Sequence, residues 1–98
     1  MAATYDFTGS IALVTGAAGD FGRTVALRLA SSGARLVLTD LALAAEGLEE
    51  TRGQCAALCG DAGVVVVTAD VTDAASVAAL FDAAAERLGV PDLVFNNA

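Results

Sequence analysis

Apolar and polar positions along this chain change pattern in blocks. Ile11-Ala12-Leu13-Val14 is an uninterrupted apolar run, the pattern of a parallel strand covered on both faces. From Phe21 to Ser32 the apolar residues fall at positions 21, 25, 26 and 29, which is helical spacing. Ser31-Ser32-Gly33 closes that helix with glycine just past its last turn. Arg35–Thr39 reads as a second strand, and Leu41–Cys59 as a second helix whose apolar face is Ala44, Leu48, Cys55 and Leu58. Gly47 and Gly53 weaken it by roughly 1 kcal/mol each relative to alanine and predict an irregular first half. Residues 60–63 form a loop. Val64–Thr68 is a continuous β-branched run, a third strand of the two-faced kind. Thr72 is placed to cap a third helix and Asp73 adds negative charge at its start. The apolar face there is Val77, Leu80, Phe81, Ala84 and Leu88. Gly89 stops the helix, and Pro91 precedes a fourth strand from Asp92 to Phe95 or Asn96. Residues 1–9 are a lead-in: Tyr5 and Phe7 pack under the sheet edge, and Gly9 turns the chain into the first strand.

Strands alternating with helices predict parallel pairing, right-handed crossovers and helices on both sheet faces. The fold class is α/β, a doubly wound parallel sheet in the strand order 3-2-1-4. In such a sheet ligands bind at the C-terminal ends of the strands, where the order reverses.

Four candidate features fall at that edge. Between the first strand and first helix lie Gly16, Gly19 and Gly22. A helix start has unpaired amides and a positive dipole end, so it favours an anion. Glycine lets the backbone approach a pyrophosphate closely. Asp40 ends the second strand 24 residues after Gly16, close to the spacing of about 20 at which an acidic side chain meets the adenosine ribose of a Rossmann-type fold. Asp70 follows the third strand, and Asn96-Asn97 the fourth.

Composition narrows the chemistry. The 98 residues make one domain or part of one. All 5 basic residues are arginine, against 12 acidic ones, for a formal charge of −7. No basic stripe exists, which argues against nucleic acid and against an anionic membrane as partners. Without lysine or histidine there is no imidazole acid–base chemistry, no Schiff-base lysine and no histidine-held metal. Apolar runs stay well short of the ~20 residues of a membrane span, and the start of the chain lacks a signal-peptide pattern. A cytoplasmic setting is expected. Cys55 and Cys59 share a helical face and read as core or half-buried residues rather than as a disulfide or zinc site.

The chain resembles the N-terminal part of a short-chain dehydrogenase/reductase. The residues that carry the resemblance are VTGAAGDFG (Val14–Gly22), Asp40 after the second strand, ADVTD (Ala69–Asp73) and NNA (Asn96–Ala98). The resemblance implies hydride transfer between a nicotinamide cofactor and a small carbonyl or alcohol substrate. It also implies a role for each matching residue. Thr15, Gly16, Gly22 and the backbone of Phe21 line the pyrophosphate turn, which also contains Gly19 and Asp20. Asp40 binds the adenosine ribose. Asp70 and Val71 border the adenine. Asn97 and Ala98 border the ribose on the nicotinamide side, while Asn96 braces the central strands. Leu41 stands where NADP-binding relatives often carry an arginine, so NAD is the expected cofactor over NADP. A homo-oligomer is expected of the intact protein.

Two departures accompany the resemblance. The spacing here is TGxxGxxG rather than TGxxxGxG, with Asp20 where glycine is common. That spacing resembles the extended branch of nucleotide-sugar epimerases and dehydratases, whereas Asn96-Asn97-Ala98 resembles the reductase branch. Asp20 turned inward would repel a phosphate; turned outward it adds favourable charge at the helix start. The second departure is length. No position here matches the family's catalytic serine or its Tyr-x-x-x-Lys pair, so no catalytic residue is assigned, and residues 1–98 read as a cofactor-binding region cut off after the fourth strand. The rival readings are a dinucleotide-binding module without turnover and a methyltransferase using the acidic residue for S-adenosylmethionine. A P-loop NTPase is disfavoured because no GK[ST] follows the glycines.

Overall fold

The computed structural model describes residues 6–97. The apolar run Ile11–Val14 forms β1, buried at every position, because β2 (Arg35–Leu38) pairs with it on one side and β4 (Leu93–Phe95) on the other. β3 (Val64–Val66) pairs with the far side of β2. All three pairings are parallel and the order is β3-β2-β1-β4, as the alternation of elements predicts.

Strand alternation sends side chains to two layers. Ala12, Val14, Leu36 and Leu38 meet Ala26, Leu29 and Ala30 of α1 (Asp20–Ser31) together with Leu48 and Cys55 of α2 (Ala45–Cys59). Ile11, Leu13 and Val37 meet Leu80 and Ala84 of α3 (Ala74–Arg87) on the opposite face. The sheet is therefore doubly wound. Leu13, Leu36 and Leu38 are almost wholly buried, each contributing about 1.5–3 kcal/mol. Asp92 starts the β1–β4 pairing: its Oδ1 accepts from the Ile11 amide at 3.0 Å and its own amide donates to the Ile11 carbonyl at 2.9 Å.

Several element boundaries differ from the sequence expectation, each for a local reason. β3 is three residues rather than five, and Val65 and Val66 are only half-buried, since β2 is the strand's one partner among the described residues. The chain nevertheless keeps following β2: Val67 N–H donates to the Leu38 carbonyl and Ala69 N–H to that of Asp40, both at 3.0 Å. α2 is preceded by a 3₁₀ turn, Ala42–Ala44, and then runs as regular helix through Gly47 and Gly53, so the glycines do not cause the irregularity expected of them. Its buried stripe is Leu48, Thr51 and Cys55. Leu58 is 53% exposed, because the i+4 step from Cys55 reaches the half-buried Cys59 instead. The loop at 60–63 contains a short 3₁₀ turn, Asp61–Gly63.

Capping of α3 also falls one residue later than expected. Asp73, not Thr72, is the N-cap, its Oδ1 accepting from Ala75 N–H at 3.1 Å. Thr72 is diverted because both its amide and its hydroxyl donate to Asp70 Oδ1, at 2.9 and 2.6 Å. In the lead-in, Phe7 packs on the α1/α2 side of the core, while Tyr5 lies outside the described residues.

Candidate functional site

The glycine turn is shaped by contacts that exclude side chains. Gly16 has φ +64°, and a Cβ there would sit 3.1 Å from the Asn97 carbonyl oxygen. Gly22 is buried, and a Cβ on it would collide with the Gly16 carbonyl. Gly19 differs: it is the N-cap of α1 in extended conformation, with φ −83° and ψ 167°, and a Cβ there would be in ordinary contact with the Gly16 carbonyl, 3.6 Å away. Packing thus demands glycine at 16 and 22, while at 19 it leaves room for another residue. Arg23 N–H bonds back to the Gly19 carbonyl at 2.9 Å; Asp20, Phe21 and Gly22 before it occupy the first turn, where helix amides are open to an outside acceptor.

Thr15 ties the turn to β4. Asn97 N–H donates to Thr15 Oγ1 at 2.7 Å, and that hydroxyl donates to Asn96 Oδ1 at 2.9 Å. Asn96 therefore ties the end of β4 to the end of β1, an edge strand to an inner one in the described sheet. The Thr15 hydroxyl is both donor and acceptor in this chain and has no proton to spare.

Asp40 stands at the end of β2 with its carboxylate held from two directions. Oδ2 accepts from Ala18 N–H at 2.9 Å and Oδ1 from Leu41 N–H at 2.8 Å. Beside it opens a cleft of about 350 Å³ lined by Thr15, Gly16, Asp40, Leu41, Asp70 and Val71, with Thr39, Ala69 and Thr72. Six of the residues singled out from sequence thus meet in one concavity. Asp70 is exposed, and the Thr72 hydroxyl, then the Thr72 amide, hold its carboxyl below the usual carboxylate range.

The other candidates surround this cleft without lining it. Asp20 is exposed in the first turn of α1. The Phe21 ring is 63% exposed and leans on Phe95, with centroids 6.0 Å apart. Asn97 lies over Gly16, and Ala98 is outside the described residues. Two residues that sequence reading passed over also belong here. Thr39 is fully buried in the cleft floor, and its hydroxyl has no partner among the described residues. Thr51, fully buried on α2, donates from Oγ1 to the Ala17 carbonyl at 2.8 Å. Its signal was a polar residue inside an apolar stripe.

A family model for short chain dehydrogenases matches residues 10–98. The chain belongs to the short-chain dehydrogenase family. It is 42% identical over 95 residues to levodione reductase of Leifsonia aquatica, covering 97% of this chain and 35% of that protein. It is 44% identical over 97 residues to D-threitol dehydrogenase of Mycolicibacterium smegmatis, covering 96% and 35%. Among solved structures, levodione reductase matches with a TM-score of 0.84 at 42% identity, over 94% of this chain and 35% of that one. A short-chain dehydrogenase/reductase from Burkholderia phymatum in complex with NAD matches with a TM-score of 0.81 at 38% identity, over 94% and 31%. The chain spans about a third of the length of these relatives. In this short-chain dehydrogenase region, the glycine turn, the acidic residue after β2 and the cleft between them form one continuous edge of the Rossmann-type sheet.

Proposed function

We propose that this chain is the NAD(H)-binding region of a short-chain oxidoreductase that moves hydride between nicotinamide and a carbonyl or alcohol carbon. The observation that carries the proposal is Asp40. Its carboxylate is fixed at the cleft by Ala18 and Leu41 amides and retains lone pairs for two further donors, which suits the paired hydroxyls of an adenosine ribose. The surroundings fit the same group. The orphaned Thr39 hydroxyl in the floor is a polar atom in want of a partner, and a side chain at Gly16 would press on Asn97.

When bound, the dinucleotide supplies the hydride chemistry. The protein's part is to bind and orient. The first-turn amides of α1, those of Asp20, Phe21 and Gly22, would hold the pyrophosphate with the helix dipole, while Gly19 caps that turn. Thr15 and Gly16 shape the turn, Asp70 and Val71 would border the adenine, and Asn97 would border the ribose nearer the nicotinamide; Ala98, which the sequence assigns to the same ribose, lies outside the described residues. A cytoplasmic setting and a homo-oligomeric intact protein belong to the same proposal, to be checked by cell fractionation and sedimentation.

NAD is preferred over NADP because a 2′-phosphate would face the Asp40 carboxylate and lose a charged hydrogen bond, an interaction of roughly 1.5–3 kcal/mol. Among the described residues no arginine lines the cleft. Arg23 is turned into α2, where its Nε donates to Thr51 at 2.9 Å. Arg52 pairs with Glu49 and Asp61. Arg35 begins β2 at the end opposite Asp40, and residue 41 is leucine. Binding isotherms of the intact protein at fixed salt test this. NAD should bind at least about tenfold more tightly, ~1.4 kcal/mol, and Asp40→Ala should narrow the gap mainly by weakening NAD. Equal or tighter binding of NADP to the unmutated protein overturns the assignment of Asp40.

A further inference from the structure

The peptide unit between Ala17 and Ala18, inside the glycine turn, is held at both ends. Its carbonyl, on Ala17, accepts from the Thr51 hydroxyl at 2.8 Å. Its N–H, on Ala18, donates to Asp40 Oδ2 at 2.9 Å. Thr51 Oγ1 in turn accepts from Arg23 Nε at 2.9 Å, and Arg23 is anchored on α2 through Gly47 O at 3.3 Å and Glu50 at 3.6 Å. Thr51 and Ala17 are fully buried, while Arg23 and Asp40 are half-buried. The Thr51 hydroxyl has a second acceptor, the Gly47 carbonyl at 3.2 Å; with its single proton on the shorter Ala17 bond, the donors run one way: guanidinium to hydroxyl, hydroxyl to carbonyl, then across the peptide to the carboxylate.

We propose that Thr51, backed by Arg23, is a positioning residue for Asp40: it fixes the 17–18 peptide plane, and that plane aims the carboxylate at the ribose subsite and sets the cofactor preference. In a chain of aligned hydrogen bonds each member polarises the next, and the effect is greatest where water is excluded. With a cation at one end and an anion at the other, the relay favours a single orientation of the peptide. Without the Thr51 hydroxyl the buried Ala17 carbonyl loses this partner, and peptide rotation would carry the Ala18 N–H away from Asp40. Asp40 would keep its charge, and so its repulsion of a 2′-phosphate, but lose its aim. A merely structural Thr51 would weaken every ligand alike. The ligand arm of the test rests on the dinucleotide reading of the cleft; the amide arm does not.

The intact protein is compared with Thr51→Val, which keeps the shape, Thr51→Ser, which keeps the hydroxyl, and Arg23→Met, which removes the cation. In the ligand-free protein, exchange of the Ala18 amide should quicken at least about tenfold in Thr51→Val relative to the β1 amides and stay near the unmutated rate in Thr51→Ser. In binding, Thr51→Val should weaken NAD about five- to tenfold and NADP by less than twofold. Arg23→Met should give a smaller shift in the same direction, and it serves as the decisive variant where Thr51→Val does not fold. Unchanged Ala18 exchange in a folded Thr51→Val or Arg23→Met overturns the proposal. So does equal weakening of both dinucleotides, or a Thr51→Ser that behaves like Thr51→Val. If the unmutated protein binds neither dinucleotide, the cofactor reading falls, and the amide arm by itself decides the positioning role.

Discussion

Thr39 and Cys55 are both fully buried, yet burial constrains them differently. An unpaired buried hydroxyl carries a desolvation cost of about 1–3 kcal/mol. Thr39→Val removes the unpartnered hydroxyl at nearly constant shape, so the ligand-free protein should gain about 1 kcal/mol in denaturant unfolding. A loss of stability would show that the hydroxyl has a partner. Burial pushes the Cys55 thiol up to about 11 from its ordinary 9.0, with Cys59 adding to the shift. The folded state therefore disfavours the thiolate. Stability from this site is complete below pH 9 and is lost as pH rises toward 11. Unfolding free energy should decline between about pH 9 and 11, and the decline should flatten in Cys55→Ala. At pH 8, alkylation followed by mass spectrometry should find Cys59 modified before Cys55. At this scale the sequence was informative about backbone and charge. Gly16 and Asp40 were legible because spacing from a strand end identifies them. Thr39 and Thr51 were not, since a threonine in an apolar stripe has no meaning until its neighbours are known.

Among the elements, α3 shows how local competition moves a boundary. Thr72 and Asp73 are both good caps by type. Asp70 decides between them by accepting both Thr72 donors, which leaves Asp73 to cap Ala75. Asp73→Ala should cost about 1 kcal/mol, and Thr72→Ala clearly less, both read by thermal unfolding. Because the Asp70 carboxyl is held below its ordinary value of 3.8 by those same bonds, the turn's contribution is present above that pH and fades as pH falls further. The helical periods of α1 and α3 and the strand runs were readable, since period and apolar composition are local properties. Strand lengths were less so. The valine run at β3 reads as fully covered, yet coverage depends on a second neighbouring strand, which β3 lacks among the described residues.

For the whole molecule, β4 is the exposed side of the design. Among the described residues β1 is its only partner. Val94 is 50% exposed and Phe81 37%, next to an apolar groove of about 210 Å³ floored by Leu13, Val77 and Leu80. An unpaired parallel edge beside an apolar face favours association. A polypeptide of residues 1–98 taken alone should self-associate in sedimentation velocity. A monodisperse monomer with a sharp cooperative melt would count against this.

By itself the sequence determined the alternation of elements, the parallel order β3-β2-β1-β4, the glycine turn and the acidic residue after β2. These follow from periodicity, chirality of crossovers and fixed spacings, all of which act along the chain. Tertiary structure alone decided that glycine is required at 16 and 22 but not at 19, and that Asp40 is held by Ala18 while Thr51 reaches across from α2 to the same peptide. Such contacts join residues 22 and 34 positions apart. They depend on the separation and rotation of packed helices and strands, which no pattern along the chain records.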